Sequence, residues 1–270
     1  MYCSESQIPM TSGSVHSSIY DYPKYYDLLF GSDWKAEFDF LQGCFRKHLK
    51  RPVRRIFEPA CGTGRLLIRL ATQGYEVAGN DLNRLAVDFC NDRFERHGFP
   101  RTAVVGDMTD FAVRRKFDVA FNMINTFRHL STEAAAVAHL QCMARALRRG
   151  GMYILGIHLE PTACPPMQEE SWSARRGNLV INSHMWSKGI DRTKRMEHLG
   201  LHIDVYTPTR KLRIIDHMEY RTYRKGQFLS LIRKVPEFRI AATYDFSYNI
   251  SQETLMTTST EDVVFLLERG

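Results

Sequence analysis

With 270 residues, 44% apolar and 25% charged, the chain has an ordinary globular composition and the length for one large domain, or a domain with a sizeable insertion. No apolar run reaches the ~18 residues that span a bilayer, and residues 1–18 lack the basic start and apolar stretch of a secretion signal. The net charge of +7 leaves an acidic partner open. The six cysteines (Cys3, Cys44, Cys61, Cys90, Cys142, Cys164) are scattered without a C-x-x-C, which points to free thiols in the cytoplasm.

Residues 1–18, rich in Ser, Thr and Gly, read as a loose tail. Trp34, Phe38, Leu41, Phe45 and Leu49 recur every three or four positions and predict an amphipathic helix, with Ser32 or Asp33 placed to cap it. Pro52 ends that pattern. The basic run Arg46-Lys47-His48-Leu49-Lys50-Arg51-Pro52-Val53-Arg54-Arg55 reads as a solvated helix end and the exposed start of a strand. No aromatic side chain is interleaved there to stack on bases, so nucleic-acid binding is open but not favoured.

A first strand is predicted at 55–58, followed by a glycine turn and a helix over 65–73 that stops at Gly74. A second strand at 75–81 leads into a helix over 83–97, ended by Gly98-Phe99-Pro100. A third strand at 102–105 closes at Gly106-Asp107, and a fourth spans 117–121. Ser131 caps a long helix running to Gly150-Gly151, and a fifth strand covers 152–158. This βαβα alternation predicts a doubly wound parallel sheet with helices on both faces.

Beyond Glu160-Pro161 the period changes. Leu199, Leu201, Ile203 and Val205 alternate, as do Leu212, Ile214, Asp216, Met218 and Tyr220, which predicts antiparallel strands with one covered face. A helix over 224–234 and closing strands at 238–246 and 262–268 follow. The chain is thus divided into a tail (1–18), an N-terminal lid and helix (19–51), an α/β core (52–160), a β-rich insertion (161–222) and a return to the core (223–270).

The run Glu58-Pro59-Ala60-Cys61-Gly62-Thr63-Gly64-Arg65 lies between a strand and a helix. Gly62 and Gly64 permit a tight turn and a close approach of ligand to backbone, and the free N–H groups of the helix start favour an anion. Glu58 can accept from an ammonium group. Asp81 ends the second strand, where a carboxylate can hold ribose hydroxyls, and Asp107 ends the third, where it can accept from an adenine amino group.

These residues, with Gly-Asn-Asp-Leu at 79–82, Gly-Asp-Met at 106–108 and Phe-Asp-Val-Ala-Phe-Asn at 117–122, resemble the class I S-adenosylmethionine-dependent methyltransferases. The resemblance implies a Rossmann-like seven-stranded sheet whose last strand is antiparallel, with an antiparallel β insertion after strand five. It also implies S-adenosyl-L-methionine as cofactor. Glu58, Ala60, Gly62 and Gly64 would surround its methionine part. Asp81 would take the ribose, Leu82 would pack on the adenine, and Asp107 and Met108 would hold the adenine edge. Asn122 would offer its carbonyl to the amino group.

The run Tyr20-Asp21-Tyr22-Pro23-Lys24-Tyr25-Tyr26-Asp27, with Trp34, is similar to the tyrosine-rich lid of amino-sugar N-methyltransferases and glycine N-methyltransferases. It implies cofactor contacts from Tyr26 and Trp34. Asn125-Thr126-Phe127-Arg128-His129-Leu130 resembles a loop that puts a histidine near the acceptor, so His129 is the first catalytic candidate and Tyr26 the second. His158, His217, Glu219 and Tyr248 are weaker candidates, with His217 and Glu219 on the face opposite Asp216 and Met218.

Asn122-Met123-Ile124-Asn125 departs from the [Asp/Asn]-Pro-Pro-[Tyr/Phe] motif, no Pro-Cys follows strand four, and no metal-ligand cluster is evident. The expected activity is methyl transfer to N or O of a small-molecule acceptor, with neither membrane nor metal, as monomer or homodimer. The alternatives are an RNA or protein methyltransferase, a dinucleotide-dependent oxidoreductase, and a non-catalytic binding module. Leu67 in place of a third glycine argues against the dinucleotide reading.

Overall fold

A computed structural model describes residues 11–32, 34–163 and 168–270. Seven strands form the central sheet: β2 (Arg55–Pro59), β3 (Glu76–Asp81), β4 (Ala103–Val105), β5 (Phe117–Asn122), β6 (Leu147–His158), β11 (Phe238–Tyr244) and β12 (Asp262–Arg269). Their order is β11-β12-β6-β5-β2-β3-β4, parallel except for β12, which runs antiparallel to both neighbours. Successive strands step outward in opposite directions from β2 and β5, and such a switch point leaves a crevice at the strand C-termini.

Alternation along each strand divides the core. Ile56, Val119, Phe121, Ile154, Val264 and Leu266 pack on one side against α2 (Trp34–His48), α3 (Leu67–Thr72) and α4 (Arg84–Arg96). Phe57, Ala120, Tyr153, Leu155, Phe265 and Leu267 pack on the other against α5 (Glu133–Ala146) and α6 (Lys225–Arg233). Asn83 caps α4 by accepting from the Leu85 and Ala86 N–H groups. The cap of α5 is Thr132, not the predicted Ser131, and that helix stops at Ala146, so β6 already begins at Leu147 and carries Gly150 at φ +72°. For α2, Ser32 turns back to donate to the Leu29 carbonyl, and Asp33 lies outside the described residues.

A second sheet has the order β1-β10-β9-β8-β7, from β1 (Thr11–His16), β7 (Glu169–Arg176), β8 (Leu179–Asp191), β9 (Met196–Tyr206) and β10 (Arg210–Arg221). Residues 11–16, expected to be loose tail, are an edge strand parallel to β10. Ser12, Gly13 and Ser14 are exposed and left no alternation to read there, while Val15 packs on the core of this sheet. The adjoining segment is anchored by Asp216, which accepts the Ile19 N–H at 2.9 Å. The inner face of this sheet packs Leu201, Ile203, Leu212 and Ile214 against Ile19, Leu28 and Leu29, the last two on α1 (Pro23–Gly31). No helix among the described residues is long and apolar enough to cross a membrane.

Two buried polar sites tie the layers together. Asp27 on α1 accepts from Thr63 Oγ1 at 3.0 Å and pairs with Arg93 Nη2 of α4 at 2.5 Å, the two side chains being 5% and 13% exposed. His139 of α5 is fully buried between the Met108 carbonyl, 2.9 Å from Nδ1, and the Tyr153 hydroxyl, 2.8 Å from Nε2. Burial pushes its pKa down to about 4.

Removing one partner of a buried pair strands the other charge, so Asp27→Ala is expected to lower the unfolding free energy by about 3–5 kcal/mol, measured by urea denaturation. The unfolded state takes up a proton at His139 near pH 6.5 and the folded state only near 4. The stability held above pH 6.5 is therefore lost as pH falls through that window, by about 3 kcal/mol in full. A His139→Gln variant should be less stable at neutral pH yet show a flatter decline in denaturation midpoint from pH 6.5 to 4.

Candidate functional site

The turn from β2 to α3 is built from backbone that ordinary side chains avoid. Ala60, Gly62 and Gly64 all have positive φ, at 48°, 52° and 65°. The Cys61 N–H donates to the Asn80 carbonyl at 2.9 Å, and the Gly62 N–H donates to Asp81 Oδ2 at 2.8 Å, which pins the turn to the end of β3. A Cβ on Gly64 would sit 2.4 Å from Cys90 Sγ, so this position takes no side chain.

A cavity of about 320 Å³ opens at this turn. Its walls are the turn itself, the segment from Ile19 to Phe30, the loop after β5 and the inner face of the second sheet. Met218, Tyr220, Leu199 and Leu201 face it. His217 and Glu219 do not: His217 meets Lys188 Nζ at 2.8 Å, and Glu219 pairs with His198 on the outer face.

Two buried ionic groups at the inner end of the cavity have open valences. Glu58 Oε2 and Arg65 Nη1 are both buried without a hydrogen-bond partner among the described residues. Burial raises the Glu58 carboxyl well above its ordinary range, the Arg65 charge only partly opposing it. Burial also works against the Arg65 charge, but the Glu37 carboxylate, 2.7 Å from Nη2, outweighs it. One group lacks a donor and the other an acceptor, and a zwitterionic α-amino acid carries one of each. The methionine end of S-adenosylmethionine therefore fits this pair.

The remaining predicted positions run outward along the strand ends. Asp81 and Val105 are register partners, so Asp81 and Asp107 end adjacent strands. Burial raises the Asp81 carboxyl, and the Asn83 and Gly62 N–H groups counter it. Asp107 accepts from the Thr109 N–H at 2.7 Å. Met108 is buried and tethered through its carbonyl to His139, while Leu82 lies open to solvent, 71% exposed. Asn122 is buried and donates to the Pro59 carbonyl at 2.9 Å, leaving its own Oδ1 without a partner.

At the acceptor side, Tyr26 lies over the turn, its ring 3.8 Å from where a Gly62 Cβ would stand. Burial raises its phenol, which stays protonated. His129 closes a short 3-10 turn (Thr126–His129) that follows two left-handed residues, Ile124 and Asn125, a costly backbone of the kind that persists where surroundings enforce it. Its Nε2 lies 2.8 Å from the Tyr20 hydroxyl, and its ring meets Tyr220 edge-on at 4.8 Å. Burial, aided by the Arg128 charge, pushes His129 down to about 4, so the imidazole is neutral at neutral pH.

Trp34, like Gly64, Asp81, Leu82, Asp107, Met108 and Asn122, is not among the lining residues of the cavity; it packs edge-on against Phe38, with the Arg69 guanidinium 4.4 Å from its ring centroid. Its place at the first residue of α2 turns it toward α3. Tyr248 likewise packs on Phe40 and Phe246. His158 lines the cavity and is paired with Asp262. Arg65, Tyr20 and Tyr220 carried no role in the sequence; Arg65 stood inside the glycine-turn motif and Tyr20 inside the tyrosine-rich run, whereas Tyr220 showed only strand alternation.

The methyltransferase-domain family matches residues 56–151. A curated relative, dTDP-3-amino-3,4,6-trideoxy-alpha-D-glucopyranose N,N-dimethyltransferase of Streptomyces venezuelae, is 26% identical over 202 residues, 72% of this chain and 79% of its own. The matched share of the curated relatives' own length falls as low as 42%. A solved S-adenosylmethionine-dependent methyltransferase from Clostridium acetobutylicum superposes with a TM-score of 0.73 at 17% identity, covering 92% of this chain and 98% of that one. Streptomyces venezuelae DesVI gives 0.73 at 18% identity, covering 93% and 99%. The chain thus carries a methyltransferase domain over residues 56–151, on a fold shared with solved S-adenosylmethionine-dependent methyltransferases, and it is similar in sequence to an amino-sugar N,N-dimethyltransferase.

Proposed function

We propose that the protein methylates an amino nitrogen of a small molecule held between the glycine turn and the second sheet, in the manner of an amino-sugar N-methyltransferase. The observation that carries this reading is the single cavity that joins the Glu58–Arg65 pair to a pocket walled by Tyr20, Tyr26, Phe30, Trp172 and Tyr220. The acceptor named for the Streptomyces relative is an amino sugar, which agrees with it. A macromolecular acceptor is less well supported. The basic run ends at Arg55, the first residue of β2, whereas the site lies at the other end of that strand. Lys47 and Arg55 in this run are already paired, with Glu253 and Glu76. The cytoplasmic assignment rests on the four described cysteines, all free thiols.

Glu58, Ala60, Gly62, Arg65, Asp81, Leu82, Asp107, Met108 and Asn122 are the residues assigned to the cofactor, with Gly64 shaping the turn behind them. Bound S-adenosylmethionine supplies a methyl group already activated by a positive sulfur, so the chain's own task is alignment. Rigid walls that hold a nucleophile in line can contribute about 7–11 kcal/mol of entropic advantage at the limit. Tyr26 closes over the turn and excludes water. A base with a pKa of about 4 cannot retain a proton drawn from an ammonium group. His129 accordingly acts by accepting a hydrogen bond from the acceptor amine, orienting its lone pair, while Tyr20 fixes the ring.

Two substitutions and one screen test this reading. Glu58→Gln should weaken S-adenosylmethionine binding by about tenfold or more, measured by calorimetry, because the buried carbonyl oxygen lacks the charge an ammonium needs. His129→Ala should lower kcat by roughly 10²-fold with the cofactor Kd within a few-fold; unchanged turnover would remove His129 from the reaction. Screening the wild type with labelled methyl donor should give turnover on amines and none on matched alcohols or phenols, and the reverse pattern would sink N-methylation.

A further inference from the structure

The lining of the cavity holds more carboxyl groups than guanidinium groups, the reverse of the chain as a whole, even though Glu160 and Glu197 are matched by arginines. Six glutamates line it (Glu58, Glu160, Glu169, Glu170, Glu197, Glu261) against two arginines, in a protein with a formal charge of +7. Neither arginine is open to an anion on the acceptor. Arg65 is committed to Glu37 and, through Nη1, to the amino-acid end of the site. Arg128 donates to Glu197 at 2.6 Å and to the Arg221 carbonyl at 3.1 Å. The cations just behind the wall, Arg192 and Arg224, both pair with Glu160. No lysine or arginine occurs outside the described residues, where Glu5 and Asp33 are the only charged side chains.

A further feature selects for a cation. Glu169 and Glu170 open β7 at the edge of the cavity, with Trp186 in register with Glu169 and Trp172 two residues beyond Glu170. Carboxylates beside aromatic faces bind ammonium groups through both charge and ring quadrupole.

Resting on the methyl-transfer reading above, we propose that the acceptor is a phosphate-free amine with more than one amino group, such as a free diamino sugar or its glycoside. A nucleoside-diphosphate-linked amino sugar, the kind named for the Streptomyces relative, is disfavoured here. A diphosphate would bring its negative charges beside the Glu169 and Glu170 carboxylates with no free guanidinium in the lining to meet them, and clefts lined by one sign of charge repel like charge. The same wall favours the chemistry. The nitrogen lone pair forms the new N–C bond, the methyl's bond to sulfur breaks with its pair left on sulfur, and the cationic nitrogen then releases its extra proton to water. Positive charge thus develops on nitrogen beside the glutamates.

The test uses the whole protein and labelled methyl donor with three acceptors: a diamino hexoside, the matching monoamino hexoside, and a monoamino hexose linked to a nucleoside diphosphate. The expected kcat/KM is about tenfold or more higher for the diamine than for the nucleotide-linked sugar, and the gap should narrow with added salt. In E169Q/E170Q that preference should shrink several-fold with the cofactor Kd unchanged; an undiminished preference would overturn the electrostatic cause. If the nucleotide-linked sugar is methylated as well or better, the charge inference fails and N-methylation stands. If no amine is methylated although the cofactor binds, the methyl-transfer reading itself fails.

Discussion

The turn after β2 is pressed against its neighbours on two sides, and the site exists because of that compression. Asp81 catches the Gly62 N–H, the Asn80 carbonyl takes the Cys61 N–H, and Cys90 fills the space a Gly64 side chain would need. Gly79 on β3 obeys the same limit, since a Cβ there would stand 2.7 Å from the Cys61 Cβ. A turn fixed in this way holds Glu58 and Arg65 buried with one open valence each, a costly state that a bound zwitterion relieves. Binding energy is thereby drawn from strain and desolvation already present in the fold.

The second sheet is the other half of the arrangement. Its inner face is covered by α1 and the N-terminal segment, and it walls the cavity at the ends of the central strands. Asp27 couples this roof to the floor, because its carboxylate reaches Thr63 in the glycine turn and Arg93 on α4 together. Loosening of the roof therefore disturbs the cofactor end as well as the acceptor end.

Electrostatics then divide the cavity by task. At the inner end stand a carboxyl group and a guanidinium, each with an open valence. Toward β7, glutamates stand beside aromatic rings. Between them His129 is kept neutral by burial and by Arg128, so the one imidazole beside Tyr20 offers a lone pair rather than a competing positive charge. The positive surface of the protein plays no visible part in this; several of its basic side chains are spent in pairs such as Arg55–Glu76 and Lys47–Glu253.

Local pattern was enough to determine the α/β core and the line of strand ends. Periods of 3.6 and 2 reflect burial of one face, and the glycines at 62 and 64 answer a backbone requirement that few other residues meet. Glu58, Asp81 and Asp107 were legible for the same reason: each stands where a predicted strand stops. What the sequence could not convey depends on contacts between distant segments. Residues 11–16 became a strand through backbone pairing with β10, which leaves no mark on side-chain alternation. The inward face of β10, the turn of Trp34 toward α3 rather than the cavity, and the meeting of Tyr20 with His129 over 109 positions were decided only when the two sheets packed. The gathering of glutamates at the cavity of a positive protein belongs to that second group, because charge in a sequence is a sum, while the potential at a site depends on which side chains the tertiary structure gathers there.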